Sequence, residues 1–221
     1  MSNKLQHPTL FILVGIPGSG KTYLARQLSQ KLGISRVSAE QIRSTILDQP
    51  SLSRSEEKLV RRIAMFLIEE MLRLGMSMIC DIPSSRSSQR SELEKLARHH
   101  KFQTVTIYQQ IDKQAAWLRC RSRHSQQVDD RYATDLDEKT FNGLCDKLQA
   151  PVGDRVIVVA GSHDFNSQAQ TILRRLLEMQ TLPADTTLVK DIPKPGLINL
   201  VASQKPKPLG SPLNIALKKG K

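Results

Sequence analysis

Short apolar runs and longer segments with an apolar residue at every third or fourth position take turns along this chain. Thr9-Leu-Phe-Ile-Leu-Val14 is the first run, and its unbroken apolarity up to Gly15 predicts a strand covered on both faces, as in a parallel sheet. Leu24, Ala25, Leu28 and Leu32 then recur at helical spacing and predict a helix from near Lys21 to just before Gly33. A second strand is expected over Ile34 to Val37. Ser38-Ala-Glu-Gln41 has the form of a capping box, with Ile42, Ile46 and Leu47 following on one face of the helix it starts. Ser53-Arg-Ser-Glu56 has the same form and opens a long amphipathic helix, its apolar face read as Leu59, Ile63, Phe66, Leu67 and Leu74, with Gly75 as the stop.

Met76 to Asp81 predicts a third strand closed by an acid. Beyond it the pattern predicts a helix (Ser87 to His100), a strand (Phe102 to Tyr108) and a helix (Asp112 to about Arg123). A polar stretch (His124 to Thr134) follows, then a helix (Asp137 to Leu148), a strand (Arg155 to Val159) and a helix (Asn166 to Met179). Regular alternation of strand and helix predicts an α/β fold, a three-layer sandwich around a mainly parallel five-stranded sheet. After Gln180 the helical pattern gives way to prolines and scattered lysines. The expected organisation is therefore one domain over 1–180 and a disordered basic tail over 181–221.

At 221 residues the chain has room for one such domain and an appendage. Its net charge of +12 points to an anionic partner, phosphate or nucleic acid. Part of that charge lies in the tail, where seven Lys face two Asp. Aromatic residues are only 4% of the chain, which argues mildly against a base-stacking surface. Cys80, Cys120 and Cys145 are odd in number and lack CxxC spacing, and no signal pattern opens the sequence, so free thiols and a cytoplasmic location are expected. The longest apolar run is about a strand long, too short for a membrane span.

Gly15-Ile-Pro-Gly-Ser-Gly-Lys-Thr22 fits G-x-x-x-x-G-K-[ST] and lies between a buried strand and the start of a helix, the setting this motif needs to hold phosphates. Gly15, Gly18 and Gly20 let Ile16, Pro17 and Ser19 turn tightly, so that successive N–H groups converge on phosphate oxygens at the positive end of a helix. Lys21 is expected to reach the β- and γ-phosphates of ATP, and Thr22 to place its hydroxyl on Mg²⁺. Asp81, closing an apolar strand, is placed in chain order to share that metal. Asp at a strand end also caps helices.

With these motifs in hand, the sequence resembles P-loop kinases of the polynucleotide-kinase and zeta-toxin type, which are often labelled AAA-type ATPases. The resemblance covers about residues 9–179. Besides the glycine-rich loop it rests on Ser38-Ala-Glu-Gln-Ile-Arg43, on Ile79-Cys-Asp81 followed by Arg86 and Arg90, and on the arginine-rich helix end from Arg119 to Arg123. It implies that Glu40 accepts the proton of an attacking hydroxyl and that Arg43 helps hold the acceptor. The family pattern usually has Asp where Glu40 stands, one methylene shorter. It further places Arg119 and Arg123, one turn apart, in or beside a lid that closes on the triphosphate, with Arg131 a weaker lid candidate, and sets Arg86 and Arg90 near the acceptor.

Three functions are compatible with this reading: an ATP-dependent kinase with a hydroxyl acceptor, a nucleic-acid 5′-hydroxyl being favoured by the charge; a nucleotide-dependent module binding nucleic acid or protein; and plain ATP hydrolysis. The five histidines show no ligand spacing, and Trp117 and Tyr108 are read as core aromatics rather than base platforms.

Overall fold

The computed structural model describes residues 5–48, 50–51, 53–123, 135–184 and 188. The expected polar stretch at 124–134, with Arg131, and all of the tail beyond 184 except Leu188 lie outside the described residues.

Among the described residues, five strands form one sheet: β1 (Thr9–Val14), β2 (Ser35–Ser38), β3 (Met78–Asp81), β4 (Gln103–Gln110) and β5 (Val156–Ala160). Their order is β2-β3-β1-β4-β5 and every pairing is parallel, so the expected mainly parallel sheet is wholly so. β1 lies at the centre, Phe11 opposite Ile79 on one side and Val105 on the other. Because its side chains alternate between faces, Phe11 and Leu13 enter one core while Leu10, Ile12 and Val14 enter a second. The uninterrupted apolar run is the signature of this two-sided burial.

Among the described residues, seven helices fill the outer layers: α1 (Lys21–Leu32), α2 (Ala39–Ile46), α3 (Arg54–Arg73), α4 (Ser87–His99), α5 (Lys113–Arg121), α6 (Glu138–Asp146) and α7 (Phe165–Glu178). Leu24 and Leu28 of α1 meet Ile172 and Leu176 of α7 in the first core. Val60, Ala64, Ile68 and Leu72 of α3 meet Leu93 and Ala97 of α4 in the second. Among the described residues, no helix is long and apolar enough to cross a membrane.

The expected inward face of α3 is overturned. Leu59, Phe66, Leu67 and Leu74 are 46%, 61%, 37% and 74% exposed, whereas Val60, Ala64, Ile68 and Leu72 are buried. The helix carries two apolar stripes. Packing selects the one at strict four-residue spacing, where small Ala64 lets the helix approach the sheet. The second capping box is also only half formed. Ser53 Oγ accepts from the Glu56 N–H at 3.3 Å, but the Glu56 carboxylate takes the N–H and hydroxyl of Ser51, at 2.7 and 2.9 Å. Packing continues past the expected boundary at Gln180: Thr181, Leu182 and Leu188 are buried, and the Gln6 N–H donates to the Thr181 carbonyl at 2.9 Å.

Candidate phosphate and metal site

The C-terminal ends of the strands form the edge where α/β proteins assemble ligand sites, and β1 delivers Gly15 there. The loop from Gly15 to Gly20 leads into α1 with Gly20 in a left-handed conformation (φ 94°) at the helix N-cap. Gly18 also has positive φ (77°), and a Cβ there would lie 2.2 Å from the Ala116 carbonyl oxygen of α5 and 2.9 Å from Cys120 Sγ. The loop thus sits directly on α5, and only glycine permits the approach. We expect Gly18→Ala to cost about 1–2 kcal/mol from the left-handed conformation alone, with the overlap adding to it. Nucleotide affinity should fall at least roughly tenfold, as each 1.4 kcal/mol of loop distortion is a factor of ten; fluorescence titration with a labelled ADP analogue would measure it.

Lys21 Nζ donates to the Ile16 carbonyl at 2.8 Å and lies 3.4 Å from Ser19 Oγ, folded back over the loop that a phosphate would enter. Burial lowers its pKa, opposed by the charges of Asp81 and Glu40. Thr22 stands next to it, and its hydroxyl donates to the Asp81 carboxylate. Asp81 is 8% exposed at the end of β3 and accepts from Arg36 Nη1 at 3.0 Å. Burial raises the Asp81 pKa, while Arg36, Lys21 and the Thr22 hydroxyl pull it back. A hydroxyl and a carboxylate side by side beneath a phosphate loop form the oxygen set that suits Mg²⁺, whose remaining positions go to phosphate and water. Among the described residues, no three acids, histidines or cysteines are grouped so as to hold a metal ion by themselves.

Glu40, in the first turn of α2, is half-buried and faces the same group of charges. Its pKa is raised first by burial and then by the Asp81 carboxylate, against the pull of Arg123, Lys21 and Arg43. The structure therefore brings Lys21, Thr22, Glu40, Asp81 and Arg123 together. It separates Arg119 from them: Arg119 Nη1 donates to the Gly161 carbonyl at 2.8 Å, in the loop after β5. The expected helix to about Arg123 stops short: α5 ends at Arg121, so Arg123 lies beyond it and does not share a helix face with Arg119, as the spacing alone allowed.

The other arginines have structural engagements. Arg43 is 6% exposed, and its Nε lies 2.7 Å from Glu56 Oε1, an ion pair joining α2 to α3. Arg90 is likewise 6% exposed and donates to the carbonyls of Ser84 and Ser85, both at 2.9 Å, bracing the loop after β3. Arg86 is exposed at the N-cap of α4. Trp117 packs on Phe141 of α6 with ring centroids 5.0 Å apart, and Tyr108 packs against the second core, in line with the core reading.

Four participants escaped the sequence. Arg36 reads as one cation in a short strand, and its role depends on β2 lying next to β3, with Ser38 opposite Asp81. Gln109 and Gln168 form a buried amide pair (3.2 Å) behind the loop, reached only through the pairing of β4 and β5 and the packing of α7. Gly161 is the exception with a usable signal: it follows directly on an apolar strand, at the edge where such sites form. A Cβ there would lie 2.7 Å from the Ser19 carbonyl oxygen.

A family model described as an AAA domain matches residues 10–151. By sequence, the chain matches no curated protein. Among solved structures it resembles Kti12 of Chaetomium thermophilum in complex with ADP-AlF3 (18% identity, TM-score 0.60, covering 79% of this chain and 99% of that one). It also resembles a gluconokinase of Sinorhizobium meliloti (16%, TM-score 0.56, 78% and 94%). A third likeness is to a chain of the Pnkp1/Rnl/Hen1 RNA repair complex (20%, TM-score 0.55, 66% and 46%). At these identities the shared property is the fold. The glycine-rich loop on its strand and helix, the parallel sheet and the family match over most of the domain agree, and the chain belongs to the AAA-domain family with the architecture of a P-loop kinase or ATPase.

Proposed function

We propose that this protein is a kinase that transfers the γ-phosphoryl group of ATP to an acceptor hydroxyl, with a nucleic-acid 5′-hydroxyl as the favoured acceptor. The observation that carries this reading is Glu40: a carboxylate delivered by α2 into the charge field of Lys21, Asp81 and Arg123, with its pKa raised toward that of a working base. The amides from Gly15 to Thr22 and the Lys21 ammonium would bind the triphosphate, and Thr22 and Asp81 would hold Mg²⁺. Bound Mg²⁺–ATP supplies the activated phosphoryl group and neutralises charge on it. The chain's own residues then position the rest, which is most of what phosphoryl transfer requires. Glu40 orients the acceptor hydroxyl and takes its proton as the new O–P bond forms and the bond to ADP breaks. Arg123 opposes negative charge on the transferring group. Arg36 keeps the Asp81 carboxylate aimed at the metal position.

Two features favour a nucleic acid. The chain carries a net charge of +12, and the lysines between 181 and 221, read as a basic tail, would add a salt-sensitive attraction for a polyanion. The likeness to a chain of an RNA repair complex points the same way. Three reduced cysteines agree with a cytoplasmic site of action.

The test is a screen of 5′-hydroxyl oligonucleotides, nucleosides and sugars with γ-labelled ATP. A 5′-labelled oligonucleotide is the expected product. A labelled sugar or nucleoside would move the acceptor assignment, and release of label only as free phosphate would overturn the kinase reading in favour of an ATPase.

A further inference from the structure

Gln109, near the end of β4, and Gln168, in the first turn of α7, are buried amides that the proposed chemistry does not use. The orientation of Gln168 is fixed by its partners. Its Nε2 donates to the carbonyls of Ala160 and His163, at 2.9 and 2.8 Å, so its Oε1 is the acceptor for Gln109 Nε2 at 3.2 Å. That order leaves Gln109 Oε1 buried with no partner among the described residues. An unmatched buried acceptor costs stability, a cost that an apolar side chain of the same size would not carry. Stability alone therefore does not account for an amide at position 109.

The pair joins two segments that meet at the glycine-rich loop. Gln109 Nε2 lies against Gly20, 3.4 Å from where a Cβ on that residue would be. Gly20 is the N-cap of α1 and brings no side-chain cap, so the first N–H groups of the helix are open to phosphate, and Lys21 follows directly. At the other end of the pair, side chains take three carbonyls of the segment 160–163. Gln168 holds those of Ala160 and His163, and Arg119 Nη1 holds that of Gly161 at 2.8 Å. The Gly161 N–H donates to the Gln110 carbonyl at 2.6 Å, and Gly161 packs on the loop so closely that a Cβ would lie 2.7 Å from the Ser19 carbonyl oxygen. The segment after β5 is thus a braced wall against Ser19, and the two amides link that wall to Gly20.

We propose that Gln109 and Gln168 are positioning residues for the phosphate site: their amide pair fixes Gly20 and Lys21 against the loop after β5, so that the N–H groups opening α1 and the Lys21 ammonium meet the phosphates of a nucleotide together. This role rests on the reading of Gly15 to Thr22 as a nucleotide site and does not depend on the acceptor. Both glutamines are buried and act through the loop. Groups that must converge on one ligand tolerate little displacement, since a shift of about 1 Å can cost on the order of a hundredfold in rate. Loss of the link should therefore register in nucleotide binding before it registers in stability.

Gln109→Met keeps the length of the side chain against Gly20 and removes both its donor and its unmatched acceptor. Titration of the full chain with a fluorescent ADP analogue and Mg²⁺ should show affinity reduced roughly tenfold, while the melting temperature without nucleotide stays within about 4 °C of wild type. Gln168→Glu keeps the acceptor for Gln109 but turns a carboxylate toward the Ala160 and His163 carbonyls, and should lose affinity to a similar degree. Because both changes break one link, the double variant should bind about as well as the weaker single one, well short of the roughly hundredfold loss that two independent effects would give. Ile68→Val, in the second core and away from the pair, should lower the melting temperature and leave affinity unchanged. ADP affinity within about threefold of wild type in Gln109→Met, a change below 1 kcal/mol, would overturn the proposal. So would an equal loss in Ile68→Val, which would mark the effect as one of general stability, or a fully multiplicative loss in the double variant. If Gln109→Met does not fold, Gln168→Glu decides by the same titration. No acceptor enters this measurement, so failure of the kinase reading leaves its result standing, whereas a wild type that binds no ADP would remove the nucleotide site and this role with it.

Discussion

Glu40→Gln is expected to reduce phosphoryl transfer about 10²- to 10⁴-fold, the usual contribution of a positioned general base, while leaving nucleotide affinity within about threefold, a change below 1 kcal/mol. Gln keeps the size and reach of Glu, so the acceptor pocket retains its shape and only the proton acceptor is lost. Glu40 has no place among the amides and the ammonium that bind phosphate, so the two readouts separate. The same substitution should raise stability in the absence of nucleotide and metal. Burial and the Asp81 carboxylate raise the Glu40 pKa in the folded chain, so the folded state binds a proton more readily than the unfolded one. Such a group favours folding at acidic pH and loses that contribution as pH climbs from the ordinary carboxylate range through the raised value. At neutral pH the ionised side chain is therefore a cost, and a neutral amide removes it. Thermal melts should show wild type and Glu40→Gln converging in acid and the variant melting higher near pH 7. A variant that melts lower at neutral pH, or keeps its transfer rate, would contradict the base assignment.

Much of this site was legible because its central part is local. Gly15 to Thr22 is one continuous segment whose strand-to-helix setting the periodicity of its flanks establishes, and the loop geometry follows from three glycines and a helix start. Asp81 was legible from chain order, as an acid closing an apolar run. What the sequence left open concerns direction. The i, i+4 spacing predicts one helix face for Arg119 and Arg123, but α5 ends at Arg121; Arg119 meets the Gly161 carbonyl in the β5–α7 loop, while Arg123, beyond the helix, meets the field of Lys21 and Glu40. Arg36 acquires its role from strand order, since β2 and β3 are neighbours although 39 residues of chain separate Ser38 from Met78. The apolar face of α3 was misjudged for a related reason. Hydrophobicity shows that a face wants burial, but two such faces compete on this helix. The sheet takes the one with a small residue at its centre, which the count of apolar side chains does not rank.

Glu56→Ala is expected to destabilise the protein by about 3–5 kcal/mol, the cost of leaving one member of a buried ion pair unmatched. Arg43 is 6% exposed and has Glu56 Oε1 at 2.7 Å; the other carboxylate oxygen holds the N–H and hydroxyl of Ser51. Truncation strands a guanidinium between α2 and α3 and frees the turn ahead of α3. For a chain of this length the melting temperature should fall by roughly 6–20 °C, at about 2–4 °C per kcal/mol. Replacing both members, Arg43→Met with Glu56→Met, removes the charges and fills the space, and should recover most of that loss, because a buried pair as a whole contributes little net stability. The double variant also decides what Arg43 does. If Arg43 only ties α2 to α3, Glu40 stays in place and both stability and transfer return together. If it also holds the acceptor, as the family resemblance implies, stability returns while the KM for the acceptor stays raised and that for ATP does not. Differential scanning fluorimetry and initial rates at varied acceptor and ATP distinguish the two, because packing of α2 influences every substrate whereas a contact with the acceptor influences one.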